Sequence, residues 1–389
     1  MKRVSVLAAV AAVSIGAAPA KDPPPIANYW MDVATQSGMG AGMTPGARPN
    51  MGQIMSMMNG GGGSVVHTLD LRLASKDKAP AAPQADHLIP PTLQMGASLP
   101  LITPVRVVET PSTLPFQQPK GRTLIYWGCG EHVSAGQPTV IDFSKIQPGK
   151  VPPGMAAMAS MAHVVSGPTS APGFGRWPND RDNRQVPATG SLLGAHSVQA
   201  NYSPTIGFNL AAGQDFMPGL ALREAGTLPS GADRLMWTPA AQATGYALAM
   251  FGSNQAGDVI MWSSARSASM AALDYLSPSE VKRLITTGAV LPPTTSECML
   301  PAEVAAAVPM GMVMAIGYGP EVNFAEKPKA PKWTTKVRYK TTASLMRGMR
   351  GMMGGYDGEG GQQQAQQPEQ PKKKKRGFGL GDLIGAVPH

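Results

Sequence analysis

Nine prolines fall between residues 80 and 119, at positions 80, 83, 90, 91, 100, 104, 111, 115 and 119. Proline has a fixed φ and no backbone N–H, so this stretch is expected to run as extended segments and edge strands, not as helix or interior ladder. The same punctuation extends along the chain, which carries 45 glycines and 38 prolines in 389 residues. Each one placed inside a helix costs about 1 kcal/mol for glycine or about 3 kcal/mol for proline. Short strands joined by many turns suit such a chain, and long helices do not.

The apolar pattern agrees. In "VVHTLDLRLAS" (65–75) Leu69, Leu71 and Leu73 alternate with Asp70 and Arg72, the period of a half-buried strand. "RTLIYW" (122–127), "TVIDF" (139–143), "MAHVVS" (161–166), "HSVQANY" (196–202), "TIGFNL" (205–210) and "GLALR" (219–223) read as further short strands with turn signals between them. That spacing points to an antiparallel sandwich or barrel, and the lack of strand–helix alternation argues against a doubly wound parallel sheet.

A second unit begins near residue 228 and contains the best-signed helix in the chain. "SPSEVKRLITTG" places Ser277 at the N-cap, Pro278 at the first helical position, Glu280 three residues after the cap and Gly288 after the last turn. Val281, Leu284 and Ile285 give it one apolar face. Around this helix, "DRLMWTPAAQATGYALAMFG" and "GDVIMWSSA" resemble the middle of a fibronectin type III or related immunoglobulin-like sandwich. In that family one strand carries a core Trp and the next opens on a Gly-Tyr pair, positions that Trp237 and Tyr246 match. "MGMVMAIGYGPEVNF" (310–324) resembles its closing strands, and the resemblance covers about residues 228–325. The helix between Trp262 and Met310 departs from the family pattern. "KWTTKVRYK" (332–340) offers one more strand.

The ends set the compartment. Lys2 and Arg3 precede an apolar run from Val4 to Ile15, and Ala18 and Ala20 stand at the −3 and −1 positions of a cleavage site. This is the pattern of a secretory signal peptide, its apolar run well short of the ~20 residues that span a bilayer. The mature chain is expected to begin near Lys21 in the periplasm or outside the cell. The net charge of +9 is concentrated at the other end, in "KKKKR" (372–376). Residues 21–371 hold 26 basic against 23 acidic side chains, a nearly neutral body without the charge and aromatic pattern of a nucleic-acid binder.

The expected architecture is mainly β: two antiparallel sandwich-like domains with one short helix in the second, plus disordered N- and C-terminal segments. The divisions are a signal peptide (1–20), a Gly/Met-rich low-complexity segment (21–64), a first β domain (65–226), a fibronectin III-like domain with inserted helix (227–327), and an extended strand with a disordered basic tail (328–389).

Three groups of residues carry candidate chemistry. Cys129 and Cys298 are the two cysteines of the chain, and in an oxidising compartment they are expected to form a disulfide. The competing view makes Cys129 a nucleophile, with Glu131 and His132 nearby in "YWGCGEH" (126–132). The local signatures of cysteine hydrolases are missing there, and such enzymes bring their His from a distant part of the chain. Met155, Met158 and Met161, followed by His163, offer soft thioethers and an imidazole of the kind that select Cu(I). Methionine also fills irregular cores and apolar loops. Lys372, Lys373, Lys374, Lys375 and Arg376 form a tail able to meet an anionic surface. No Walker A, dinucleotide, H-E-x-x-H or G-x-S-x-G motif occurs. The sequence therefore reads first as an exported, non-catalytic binding or scaffolding protein with no cofactor. Its partner is an unidentified envelope component, protein or polysaccharide, and not nucleic acid. A periplasmic Met-rich Cu(I)-binding protein is the alternative, and an envelope hydrolase using Cys129 the third reading.

Overall fold

Proline and glycine keep most strands short, and the strands assemble edge to edge around a few long ones. The computed structural model describes residues 23–39, 41, 65–104, 121–145, 164–268 and 272–348. Along them lie β1 (Ala27–Gly38), β2 (Val66–Ser75), β3 (Ala85–Leu88), β4 (Ser98–Pro100), β5 (Arg122–Trp127), β6 (Thr139–Asp142), β7 (Gly173–Trp177), β8 (Gly194–Ala200) and β9 (Ser203–Leu210). There follow β10 (Arg223–Thr227), β11 (Asp233–Met236), β12 (Gly245–Ser253), β13 (Val259–Ser263), α1 (Pro278–Thr287), β14 (Glu297–Leu300), α2 (Ala302–Ala307), β15 (Gly311–Ala325) and β16 (Trp333–Arg347). The fold is mainly β, as the composition implies.

The strands form a nine-stranded sheet in the order β6-β5-β13-β12-β15-β16-β1-β2-β7, a four-stranded sheet β4-β3-β8-β9 and a three-stranded sheet β10-β11-β14. The large sheet is mixed, because β1 runs parallel to β16 and β5 parallel to β13. Strand pairing also crosses the expected boundary near residue 227: the sheet takes β1, β2, β5, β6 and β7 from one side of it and β12, β13, β15 and β16 from the other. The physical reason is β1, which inserts between β16 and β2 and so joins the first and last strands among the described residues.

The low-complexity segment expected at 21–64 therefore contains a twelve-residue strand. Tyr29, Met31, Val33 and Thr35 of β1 point to one face and are at most 1% exposed. Their register partners Leu69, Leu71 and Leu73 on β2, and Val337, Tyr339 and Thr341 on β16, share that face. Burying an apolar side chain of this size contributes roughly 1.5–3 kcal/mol. The four-stranded sheet covers this inner face, with Phe208 of β9 and His87 of β3 against Tyr29. The three-stranded sheet lies over β12, where Trp237, just past β11, packs on Tyr246. The Tyr246 hydroxyl accepts from the Ala240 N–H at 2.8 Å and donates to the Ala240 carbonyl at 3.4 Å. A single apolar cluster runs through both regions.

α1 matches its expected caps: the Ser277 hydroxyl accepts from the Glu280 N–H, and Gly288 ends the helix at φ 76°. Val281 and Leu284 pack on the opposite, outer face of the sheet, against Ala247, Ile316 and Tyr318. α2 is a second helix where one was expected, an Ala-rich turn following Pro301. β16 continues seven residues beyond the expected end at 340. Pro320, which cannot donate to a ladder, is tolerated inside β15 because a bulge falls between Tyr318 and Glu321. Two expected strands are irregular. Of "GLALR" only Arg223 enters a strand, β10, and the backbone ahead of it serves the inner face with carbonyls outside any ladder: Met217 accepts from Thr35, Pro218 from Thr341 and Leu220 from Ser37. Of "MAHVVS", residues 164–166 form no strand and 161–163 lie outside the described residues. The expected signal peptide, the tail beyond 348 and most of the Gly/Met-rich segment also lie outside them.

Candidate functional site

The outer face of the large sheet carries charge where an ordinary solvent face would carry scattered polar groups. Alternation along β16 sends Lys336, Arg338 and Lys340 outward, and register places them beside Trp30 and Asp32 of β1, with Asp70 and Arg72 of β2 next across. The Arg338 guanidinium lies 4.7 Å from the ring centroids of both Trp30 and Tyr275. Lys336 stands over Trp30 at 5.5 Å and Lys340 over Tyr275 at 4.1 Å. The result is an alternating stack, Lys336–Trp30–Arg338–Tyr275–Lys340, in which each cation meets the electron-rich face of a ring.

Every cation also has a carboxylate. Arg338 donates two bonds to Asp32 at 2.7 and 2.6 Å, and a third at 2.6 Å to the Val165 carbonyl. Arg72 holds Asp70 bidentately at 3.0 and 2.6 Å, Lys336 pairs with Glu321, and Lys340 bonds Asp274 at 3.2 Å. The segment ahead of β7 crosses this lattice: a Cβ on Gly167 would lie 3.2 Å from both the Arg72 guanidinium and the Trp30 ring. Glycine is what lets that backbone approach. Burial pushes the Asp32 carboxyl up from its ordinary range, against the lowering from Arg338. Burial also raises Asp274 and Glu321, but Lys340 and Lys336 outweigh it and hold both below the usual range. Burial drives the Tyr275 hydroxyl well up. Trp30, Lys336 and Lys340 are half-buried, so the stack keeps partial access to solvent.

A second group surrounds the cysteines. Cys129 and Cys298 are bonded, with Cα atoms 5.0 Å apart and 169 residues between them in sequence. The bridge joins the loop after β5, in the large sheet, to β14 in the small one. His132, the sequence neighbour of Cys129, instead donates from Nδ1 to Glu303 at 3.0 Å, and the other oxygen of Glu303 accepts from the Val133 N–H at 3.1 Å.

A third group was not legible as a pair. His87 and His196, 109 residues apart, meet at 3.0 Å between Nε2 and Nδ1. The Leu192 carbonyl, 2.7 Å from His196 Nε2, can only accept. His196 therefore carries its proton on Nε2 and accepts on Nδ1 from His87 Nε2. His87 Nδ1 in turn accepts from the Tyr29 hydroxyl at 2.9 Å. Both imidazoles are neutral in this directed chain and all four ring nitrogens are engaged. Burial, with His196 beside it, holds His87 well below the ordinary imidazole range; burial holds His196 below it too, against the Leu192 bond.

Among the described residues, no group of three or more His, Cys, Asp or Glu is placed to hold a metal ion. Met155, Met158, Met161 and His163 lie outside the described residues, as do Lys372, Lys373, Lys374, Lys375 and Arg376. No protein-family model, curated protein or solved structure matches this chain. The outer-face stack is hard to see in the sequence because Trp30, and the Asp32 that pairs with Arg338, lie in the segment expected to be low complexity. The alternation of "YWMDV" was its signal.

Proposed function

We propose that the protein is an exported, non-catalytic binding or scaffolding protein. Its partner is an envelope component, protein or polysaccharide, engaged through the outer face of the large sheet. The observation that carries this reading is the stack Lys336–Trp30–Arg338–Tyr275–Lys340. Each of its cations is already held by a carboxylate or a ring, so little side-chain entropy is left to lose on binding. The signal-peptide pattern and the disulfide both support export.

The fibronectin III-like reading of residues 228–325 belongs to the same proposal, and strand order supports it. Taking β10, β11, β12, β14, β15 and β16 as strands A, B, C, E, F and G gives an A-B-E sheet facing one that contains C, F and G, with strands A and G lying just outside residues 228–325. α1 then stands where strand D is expected. Tyr246, at the start of strand C in this assignment, bonds backbone six residues upstream and packs on Trp237. Sandwiches of this kind host unrelated activities, so the partner must come from the surface.

The test compares the exported protein with a Lys336→Ala/Lys340→Ala variant, which leaves Arg338–Asp32 intact, for retention on the native envelope fraction. Loss of retention with unchanged unfolding behaviour supports the proposal, and equal retention defeats it. The basic tail is tested beside it by truncation after Gly348, because residues 341–347 belong to β16. The Cu(I) alternative rests on methionine spacing. Stoichiometric Cu(I) uptake abolished by changing Met155, Met158 and Met161 would establish it.

A further inference from the structure

We propose that Cys129–Cys298 is a thiol–disulfide exchange site, opened by an incoming thiol at the Cys129 sulfur and re-formed within the folded protein. The two ends of the bridge differ in access. Cys129 is an exposed residue, whereas Cys298 is 2% exposed and belongs to the main apolar cluster. The glycines beside Cys129 keep its approach clear: a Cβ on Gly128 would meet nothing within 4 Å, and on Gly130 only the His132 carbonyl at 3.4 Å. A thiolate attacks a disulfide sulfur directly, so access decides which sulfur it reaches. Attack on Cys298 would have to come through the core.

The exchange balances with a dithiol as reductant. Its first thiolate bonds Cys129 Sγ, and the Cys129–Cys298 bond breaks with its electron pair on Cys298 Sγ, which takes a proton from solvent. The second thiol of the reductant then attacks the mixed disulfide, releasing Cys129 as thiol and leaving the reductant oxidised by two electrons; re-formation is the reverse, in which the Cys129 thiolate opens the disulfide of an oxidised dithiol and Cys298 displaces it, returning the partner as a dithiol.

The surroundings keep the two thiols together afterwards, because the loop is held independently of the bridge. Gly130 N–H donates to the Met299 carbonyl at 3.2 Å and Ala302 N–H to the Glu131 carbonyl at 2.9 Å. Gly128 N–H donates to the Ser263 carbonyl at 2.9 Å, and the Trp262 indole to the Gly128 carbonyl at 3.0 Å. Glu303 holds His132 and Val133. Each released thiol also has a carbonyl 3.8 Å from its sulfur, Ser264 for Cys129 and Met299 for Cys298.

Two measurements on the full chain test this. In the first, the native protein is treated with excess glutathione, quenched with an alkylating agent and mapped by mass spectrometry. Glutathione on Cys129 with Cys298 free is the expected result; adducts on Cys298, or a bridge that opens only at the rate of global unfolding, overturn the proposal. In the second, the single thiol of Cys298→Ser is compared with that of Cys129→Ser for native-state alkylation. Both variants lack the bridge, so a shared loss of stability cancels. The thiol of Cys298 is expected to react on the order of a hundredfold more slowly, its access limited by opening of the core. Equal native-state rates in the two folded variants defeat the proposal. Should either variant be unfolded, the wild-type map decides alone.

Discussion

At the scale of single residues, Arg338 joins the two elements of the outer-face site most directly. It ties Asp32 bidentately, reaches the Val165 carbonyl and lies between two rings. Asp32 is 4% exposed, so Arg338→Met leaves a buried carboxylate without its partner, a loss expected to cost about 3–5 kcal/mol in urea denaturation. Pairing it with Asp32→Leu removes both charges, and the double variant is expected to recover part of that loss. An additive double variant would show that the pair does not act as a unit. The sequence exposes the outward alternation of Lys336, Arg338 and Lys340. It does not expose their partners, because Asp32 lies 306 residues away in the chain and only the pairing of β1 with β16 brings it near.

The Tyr29–His87–His196 chain gives a pH dependence with a definite sign. Both imidazoles are neutral when folded and held below their ordinary range, while in the unfolded chain they take protons near a pKa of about 6.5. Below that pH the unfolded state binds more protons than the folded one, so stability falls as pH drops from neutral toward the folded-state pKa values. The urea midpoint is expected to decline between about pH 7 and pH 5.5, above the range where unperturbed carboxylates titrate. A His87→Gln/His196→Gln variant should be less stable at neutral pH but show a smaller decline. An unchanged slope would mean that other groups carry the proton uptake.

At the scale of elements, legibility follows the range of the interactions that define each one. α1 is set by Ser277, Pro278, Glu280 and Gly288 within twelve consecutive residues, and it forms where its caps place it. Ser277→Ala removes the hydroxyl that accepts the Glu280 N–H and is expected to destabilise the protein by about 1 kcal/mol. Ser277→Asp should restore most of it, and a null effect of the Ala variant would place the helix end under tertiary control. β1 is the opposite case. Its alternating core residues end in a Gly/Met-rich run, and its partners are the second strand and the last. The carbonyls of 217–220 likewise behave as irregular backbone because they answer hydroxyls on β1 and β16, a requirement invisible within "GLALR" itself.

At the scale of the whole molecule, the two sandwich-like regions share one sheet and one apolar cluster, and this decides how the protein unfolds. β16 would close the proposed fibronectin III-like unit, yet its inward residues Tyr339 and Thr341 bond the carbonyls of Gln214 and Pro218, and its other edge is taken by β1. A fragment covering residues 228–348 would therefore expose an unpaired edge and an uncovered inner face. It would also lose the bridge from Cys298 to Cys129, whose loop-entropy contribution is at most about 5 kcal/mol. This fragment is expected not to fold alone, and the intact oxidised chain is expected to unfold in one calorimetric transition with matching van't Hoff and calorimetric enthalpies. Two resolved transitions, or cooperative melting of the isolated fragment, would show that the shared sheet is a contact between independent domains. The parallel pairing of β1 with β16 is what makes the single transition the physical expectation: twelve consecutive register pairs join the two ends of the described chain, so neither region can open without exposing the other's core edge.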